Sequence, residues 1–105
     1  MRKTVTVRGR GRAEVAAYGV QDAEHLVEKE LARLWPEARV EVLEIRMGEA
    51  GRIVGEFVVT YRLTAAVEVE VEDEAEAPRH AYRHARGLLA GSRYAGITFE
   101  APASS

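Results

Sequence analysis

The sequence predicts a single α+β domain, an antiparallel sheet carrying two helices on one face. Three observations support this. Four runs have the β-branched or alternating character of strands, and two others place apolar residues at helical spacing. These elements follow each other in the order β-α-β-β-α-β. The length of 105 residues suits one domain. We expect residues 1–101 to form it and residues 102–105 to be a flexible tail.

The first strand is predicted at residues 4–7, which are all β-branched. The next five, Arg8-Gly9-Arg10-Gly11-Arg12, favour a turn because two glycines loosen the backbone. A first helix is then predicted, because apolar side chains recur three or four positions apart at Val20, Ala23, Val27, Leu31 and Leu34. Pro36 ends this helix, since proline disfavours helical geometry at the residue before it. Its start stays open, as residues 13–18 could belong to it.

Two further strands are predicted in the middle of the chain. In residues 40–46 the apolar positions change parity between Val42 and Leu43, which predicts a bulge or a strand covered on both faces. Residues 48–51 then favour a hairpin turn. Alternation continues from Ile53 to Val71. Such a strand would be about 60 Å long at ~3.3 Å per residue, so we expect it to bend, break or reach into another subunit.

A second helix and a short last strand complete the domain. Pro78 follows an acidic stretch and suits the first turn of a helix. Its apolar stripe is Ala81, Ala85, Leu88 and Leu89. Gly91 is the natural C-cap, and residues 97–100 resemble a strand. The element order suits a ferredoxin-like sandwich, although order alone does not fix the topology.

The central hairpin carries a family resemblance. Residues 40–46 are Val-Glu-Val-Leu-Glu-Ile-Arg, and residues 51–63 are Gly-Arg-Ile-Val-Gly-Glu-Phe-Val-Val-Thr-Tyr-Arg-Leu. They resemble the central hairpin of dodecins, and the likeness covers roughly residues 4–72. Dodecins are small β-α-β-β proteins that form hollow dodecamers and hold flavins between subunits. The resemblance therefore implies a curled sheet wrapped on one helix, and a closed homo-oligomer. Residues from Asp73 onward have no counterpart in that family.

The flavin-contact residues implied by the resemblance are not retained. Arg39 stands where dodecins have the stacking tryptophan, and Val58 stands where they have a glutamine. Trp35 lies one helical turn earlier and is more consistent with core packing beside Leu31 and Leu34. Trp35, Arg39 and Val58 are therefore weak cofactor-binding candidates, and we expect no bound cofactor, flavin included.

Composition and spacing leave little support for catalysis or metal binding. With no cysteine, the chain has no disulfide, no thiolate metal site and no thiol catalysis. Glu76, His80 and His84 are spaced by four residues and could ligate a metal from one helix face. A solvated cationic face is the favoured interpretation, because the glutamate of a metalloprotease helix is missing between the histidines. We predict no metal site and no enzymatic activity.

Charge patterning suggests possible partners. The second helix and the residues after it are basic, with Arg79, Arg83, Arg86 and Arg93, while glutamates 68, 70, 72, 74 and 76 precede that helix. The helix either pairs with the acidic strand, in the same subunit or a neighbour, or binds nucleic acid. A second basic cluster, Arg2, Lys3, Arg8, Arg10 and Arg12, lacks the interleaved aromatics of nucleic-acid binders.

These observations favour a non-enzymatic, homo-oligomeric small-ligand-binding or scaffold protein of dodecin-like build. Its expected subunit interface is formed by Val67, Val69, Val71, Arg79 and Arg83. The alternative is a nucleic-acid-interacting α+β domain that uses the basic second helix. Because the sequence has neither a signal-peptide core nor a membrane-spanning stretch, we expect it in the cytoplasm and not at a membrane.

Overall fold

The computed structural model describes residues 1–50 and 53–100. Its strands are β1 (Arg2–Ala17), β2 (Arg39–Ala50), β3 (Gly55–Glu70) and β4 (Thr98–Phe99). Its helices are α1 (Val20–Leu34) and α2 (Ala77–Leu89), with a 3-10 turn at Glu74–Glu76 before α2. The predicted α+β class and β-α-β-β-α-β order are confirmed.

The four strands form one antiparallel sheet in the order β2-β3-β1-β4. The two long central strands, β1 and β3, pair along their whole length, from Arg2 opposite Glu70 to Ala17 opposite Gly55. The short strand β4 pairs with β1 only at Gly9 and Arg10. This is the strand order of a ferredoxin-like sandwich.

One face of the sheet is covered by the helices and the other is open. Most odd-numbered residues of β1 and β3, such as Val15, Phe57 and Leu63, are buried in the core. The helices bury Ala23, Val27 and Leu31 of α1 and Ala77, Ala81, Ala85 and Leu89 of α2. Even-numbered residues of β1 and β3 are exposed or half-buried. We call the surface that they form the open face.

The predicted helix ends and the predicted bulge are confirmed. Helix α1 ends at Leu34, just before Trp35 and Pro36, and Pro78 lies in the first turn of α2. Gly91 has a φ of +75°, the left-handed geometry that favours glycine after a helix. The register of β2 against β3 shifts between Val42 and Glu44, as the change of parity predicts.

The turn predicted at residues 8–12 is wrong, because β1 continues through both glycines. Their physical role is to admit large side chains close to the strand. A Cβ atom on Gly11 would lie 2.6 Å from Tyr61 Oη, and one on Gly9 would lie 2.7 Å from Ile97 Cδ1. The strand reaches Ala17, so residues 13–17 do not belong to the first helix.

The expectation that the long strand bends or breaks is also wrong between Gly55 and Glu70, while a contact with another subunit stays a prediction. Strand β3 is continuous over 16 residues, about 53 Å at ~3.3 Å per residue. The molecule is elongated, with principal extents of 56 × 23 × 19 Å, so the strand fits along its longest dimension. Of the predicted hairpin turn, Gly48 and Glu49 lie in β2, and Gly51 lies outside the described residues. The predicted tail lies outside them as well.

Candidate functional site

The three weak cofactor candidates are not brought together. Trp35 is 3% exposed and belongs to the hydrophobic core, which confirms its predicted packing role. Arg39 and Val58 lie on the opposite side of the sheet, where Arg39 is paired with Thr64 and Val58 with Arg46. A ligand on the open face could therefore contact Arg39 or Val58 but not Trp35.

The three weak metal candidates are only partly assembled. Glu76 Oε2 lies 3.9 Å from His80 Nε2, a long contact between two half-exposed side chains. His84 is exposed one turn further along α2. Across the described ranges, no group of three histidine or acidic side chains is placed to hold a metal ion.

The predicted role of three valines at a subunit interface needs correction. Val67, Val69 and Val71 are 6%, 8% and 6% exposed within one chain, where they belong to the hydrophobic core. The prediction assumed that one helix could not cover the whole apolar row. Helix α2, whose apolar stripe belongs to the same core, lies on the same face of the sheet and contacts β3. These valines do not need another subunit to bury them.

Among the described residues, glutamates 68, 70, 72 and 74 form no ion pair with the arginines of α2. Glu70 instead accepts from the amino group of Met1 at 3.1 Å, and Glu74 lies 3.0 Å from Lys3 Nζ. Among the described residues, Arg79 and Arg83 have no carboxylate within ion-pair distance. Glu68 and Glu70 are at even positions of β3, so they lie on the open face, away from α2.

The open face carries a row of three arginines from the second basic cluster, which the sequence placed in a predicted turn and the structure places in β1. Arg8, Arg10 and Arg12 are at even positions of β1, so all three are exposed on the same side of the sheet. Alternate residues of a strand lie about 6.6 Å apart, at ~3.3 Å per residue. We call these three residues the arginine row. The signal in the sequence is the strict alternation of arginine and glycine.

Nearby carboxylates do not neutralise the arginine row. On β2, Glu41 Oε2 lies 3.7 Å from Arg62 Nη1, and Glu44 Oε1 lies 2.6 Å from Arg46 Nε. Both glutamates are therefore occupied by other arginines. No ion pair joins the arginine row to any carboxylate in residues 1–50 or 53–100. Its positive charges are left to solvent or to a ligand.

A cavity of about 570 Å³ lies beside the arginine row. Its polar lining is Arg10, Arg12, Glu44, Thr60, Thr98 and Glu100. The volume falls within the ~300–1,000 Å³ of typical small-molecule sites. Phe99 also lines it, but its ring packs edge-on against Tyr82 at 5.4 Å between centroids and lies under the Arg86 guanidinium. No histidine is among the described residues that line the cavity.

Buried aromatic side chains support the strand beneath the arginine row. The Tyr61 ring packs close to Gly11 and lies edge-on to Tyr94, with 5.5 Å between ring centroids. Tyr94 Oη donates to Glu30 Oε1 at 2.6 Å, and Arg93 Nε lies 3.2 Å from the same oxygen. Arg93 Nη1 also donates to the carbonyl oxygen of Glu14 in β1. This network connects α1, the loop after α2 and β1.

Burial perturbs the acidity of both tyrosines. It raises the pKa of Tyr61 to about 12. It also raises the pKa of Tyr94, with further contributions from the hydrogen bond to Glu30 and the charge of that carboxylate. The Tyr61 hydroxyl has no hydrogen-bond partner among the described residues. Both groups are neutral at physiological pH and support the packing of the sheet.

The arrangement of arginines beside a cavity can hold an anion. Arginine guanidinium groups bind phosphate and carboxylate through charge-assisted, often bidentate hydrogen bonds.

Within the part of the chain that the structure describes, no helix is both long enough and apolar enough to cross a membrane. Comparisons of the chain with protein-family models, curated proteins and solved structures gave no match.

Proposed function

We propose that this protein is a non-enzymatic, homo-oligomeric binding protein that holds a small anionic ligand on the open face of its sheet. The observation that carries the proposal is the arginine row, Arg8, Arg10 and Arg12, whose charges have no partner among the described carboxylates. The adjoining cavity of about 570 Å³ gives a ligand room beside two of these arginines.

The energetics favour a ligand with concentrated negative charge. A hydrogen bond to a charged group is worth about 1.5–3 kcal/mol, compared with about 1 kcal/mol for a neutral pair. Arg10 and Arg12 lie on one strand and both line the cavity, so one anionic group can contact both. The open face is exposed to solvent, however, so salt should weaken binding.

Calorimetric titration with inorganic pyrophosphate at low ionic strength tests the ligand proposal. We expect saturable binding that weakens as sodium chloride is added. Arg12→Gln should weaken it about tenfold or more, because this side chain lines the cavity. Arg33→Gln is the matched control, since Arg33 is an exposed arginine on α1, on the far side of the sheet. No binding by the unmodified protein, or equal loss in both variants, would refute the proposal.

Self-association remains part of the proposal, with a revised interface. Arg79 and Arg83 on α2 are exposed and have no carboxylate partner in the described chain, while Glu68 is exposed on the open face of β3 and Glu72 is exposed just after β3. Contact between these groups in neighbouring copies would neutralise both, and closed symmetry would repeat the contact. The hairpin resemblance to dodecins, which are closed oligomers, also supports assembly.

Light scattering coupled to size exclusion tests the assembly. We expect a mass that is a multiple of 11.6 kDa at tens of micromolar protein, falling as salt is raised. Arg83→Glu should dissociate the oligomer through like-charge repulsion, and Lys29→Glu on the exposed surface of α1 should not. A monomer under all conditions would contradict self-association without affecting the ligand proposal.

The second candidate function, nucleic-acid binding through α2, is supported by the same exposed arginines, Arg79 and Arg83. A gel mobility-shift assay with a labelled single-stranded oligonucleotide tests this function. Binding through α2 should decrease steeply with salt and be abolished in an Arg79→Gln, Arg83→Gln double variant. The variant Arg12→Gln is the control because it lies on the other side of the sheet. If Arg12→Gln alone abolished the shift, the open face and not α2 would be the binding surface.

A further inference from the structure

We propose that the ligand of the open face is a small phosphorylated polyol, such as a sugar phosphate. Its phosphate binds Arg10 and Arg12, and its hydroxyl groups donate to Glu44 and Glu100. This inference rests on the proposed function of the open face as an anion site and adds the chemical class of the ligand. The observation behind it is that one cavity contains both unpaired arginines and carboxylates.

The position of the arginines places the anionic group at the centre of the cavity. Arg10 and Arg12 lie on β1, which is between β3 and β4. The row of residues that crosses the sheet at Arg12 continues through Thr60 on β3 to Glu44 on β2. On the other side of β1, the Glu100 amide donates to the carbonyl oxygen of Arg8. The arginines are therefore flanked by a carboxylate on each side.

Those flanking carboxylates select against a ligand that is anionic throughout. An ionised carboxylate only accepts hydrogen bonds, so its partner must be a donor. One oxygen of Glu44 is engaged by Arg46, and no described residue donates to the other. The Glu100 backbone carbonyl accepts from the Tyr82 hydroxyl at 2.7 Å, but the Glu100 carboxylate has neither an ion pair nor a hydrogen bond with any residue that the structure describes. A ligand that carries donors beside its anionic group satisfies both oxygens.

The distribution of donors and acceptors favours several hydroxyl groups over one ammonium. Thr60 lies on β3 and Thr98 on β4, so both sides of the arginines offer a hydroxyl as well as a carboxylate. A threonine hydroxyl can both donate and accept, which suits a polyol. A single ammonium group could satisfy only one side of the cavity.

The open face lacks the features that would hold a nucleotide or a long polyanion. Its even-numbered positions on β1 and β3 carry arginine, threonine, alanine, valine and glutamate, with no aromatic ring for a base to stack on. The Phe99 ring is packed against Tyr82 and Arg86. Beyond the arginine row, the same face carries Glu14 at one end and Glu68 at the other. These charges limit the length of an anionic ligand.

Calorimetric titration with a panel of probes at one ionic strength tests the ligand class. The probes are fructose 6-phosphate, pyrophosphate, ATP, aspartate and unphosphorylated fructose. We expect fructose 6-phosphate to bind at least tenfold tighter than each of the others. Equal or tighter binding of pyrophosphate, ATP or aspartate would overturn the polyol inference and leave the anion site standing. No binding by any anion would overturn both.

A variant that removes one negative charge provides a second test, because it should change the affinities for two ligands in opposite directions. Glu100→Gln should weaken the binding of fructose 6-phosphate several-fold, because a charged acceptor is lost, and should strengthen the binding of pyrophosphate, because a repulsive charge is removed. Glu37→Gln, an exposed residue in the connection between α1 and β2, is the control and should change neither. If Glu100→Gln moved both affinities in the same direction, Glu100 would not contact ligand hydroxyl groups and the inference would fail.

Discussion

Substituting Gly11 by alanine should destabilise the protein, contrary to the usual effect of replacing a glycine in a strand. The new Cβ atom would lie 2.6 Å from Tyr61 Oη and 2.8 Å from Tyr61 Cζ. Tyr61 is fully buried and lies edge-on to Tyr94, so its rigid ring has little room to move. Overpacking of this kind costs about 1–3 kcal/mol. The backbone gain from removing a glycine is about 0.5–1 kcal/mol, so a net loss of roughly 1–2 kcal/mol should remain.

Guanidinium denaturation followed by Trp35 fluorescence measures this loss, since the chain has one tryptophan and it is buried. The matched control is Gly87→Ala, because Gly87 lies in α2 and a Cβ atom there would meet nothing within 4 Å. That variant should gain up to about 1 kcal/mol from helix propensity. Opposite signs for two glycine-to-alanine changes would identify the contact with Tyr61, and not glycine itself, as the cause.

A double-mutant cycle makes the test specific. Tyr61→Phe removes the closest atom to the new Cβ, together with a buried hydroxyl that has no described partner. Alone it should be neutral or stabilising by up to about 1 kcal/mol, because burying an unsatisfied hydroxyl is unfavourable. In the Gly11→Ala background it should recover part of the loss, since Cζ remains close. A neutral Gly11→Ala, or strictly additive variants, would refute the proposed packing role of Gly11.

Three further predictions concern the core and its charges. Burial raises the pKa of Tyr61 to about 12, so the unfolded chain loses this proton first as pH rises. The free energy of unfolding should therefore keep its full value below about pH 10 and decrease towards pH 12. Denaturation at each pH will measure the decrease, which should be smaller in Tyr61→Phe. Tyr94→Phe should cost about 1 kcal/mol of unfolding free energy, because the hydrogen bond to Glu30 is lost, whereas Tyr18→Phe, on an exposed side chain, should cost nothing. Val69→Glu should unfold the chain and not only dissociate an oligomer, because Val69 is buried within one chain. Glu70→Gln should change the free energy of unfolding by less than about 1 kcal/mol. If circular dichroism showed that the Val69→Glu variant is a folded monomer, it would contradict the burial of Val69.

Local sequence signals predicted the ends and irregularities of the elements well. Pro36 and Gly91 affect the backbone conformation of only the nearest one or two residues. The end of α1 and the end of α2 could therefore be predicted from them. The change of parity at Val42 and Leu43 likewise has a local consequence, the register shift in β2. Such features depend on steric preferences of the backbone, which neighbouring residues determine.

Features that depend on distant residues could not be predicted in the same way. Gly9 and Gly11 favour a turn by composition, but the side chains that require them, Ile97 and Tyr61, are at least 50 positions away in the sequence. The acidic residues were expected near the basic helix, yet register brings Arg2 beside Glu70. The sequence predicts both helices on one face but does not specify how far α2 extends over β3, so the interface prediction for Val67, Val69 and Val71 missed their burial within one chain.

Parity would have resolved part of this uncertainty, and it explains why one short segment has two separate roles. In Arg8-Gly9-Arg10-Gly11-Arg12, even positions lie on the open face and odd positions lie under the helices. The glycines are needed because Tyr61, Ile97 and Phe99 occupy the space beside them. The arginines contact no carboxylate on the described chain and so contribute little to folding. Glycine substitutions should therefore change stability while arginine substitutions change ligand binding, and the two sets of effects should separate residue by residue along one strand.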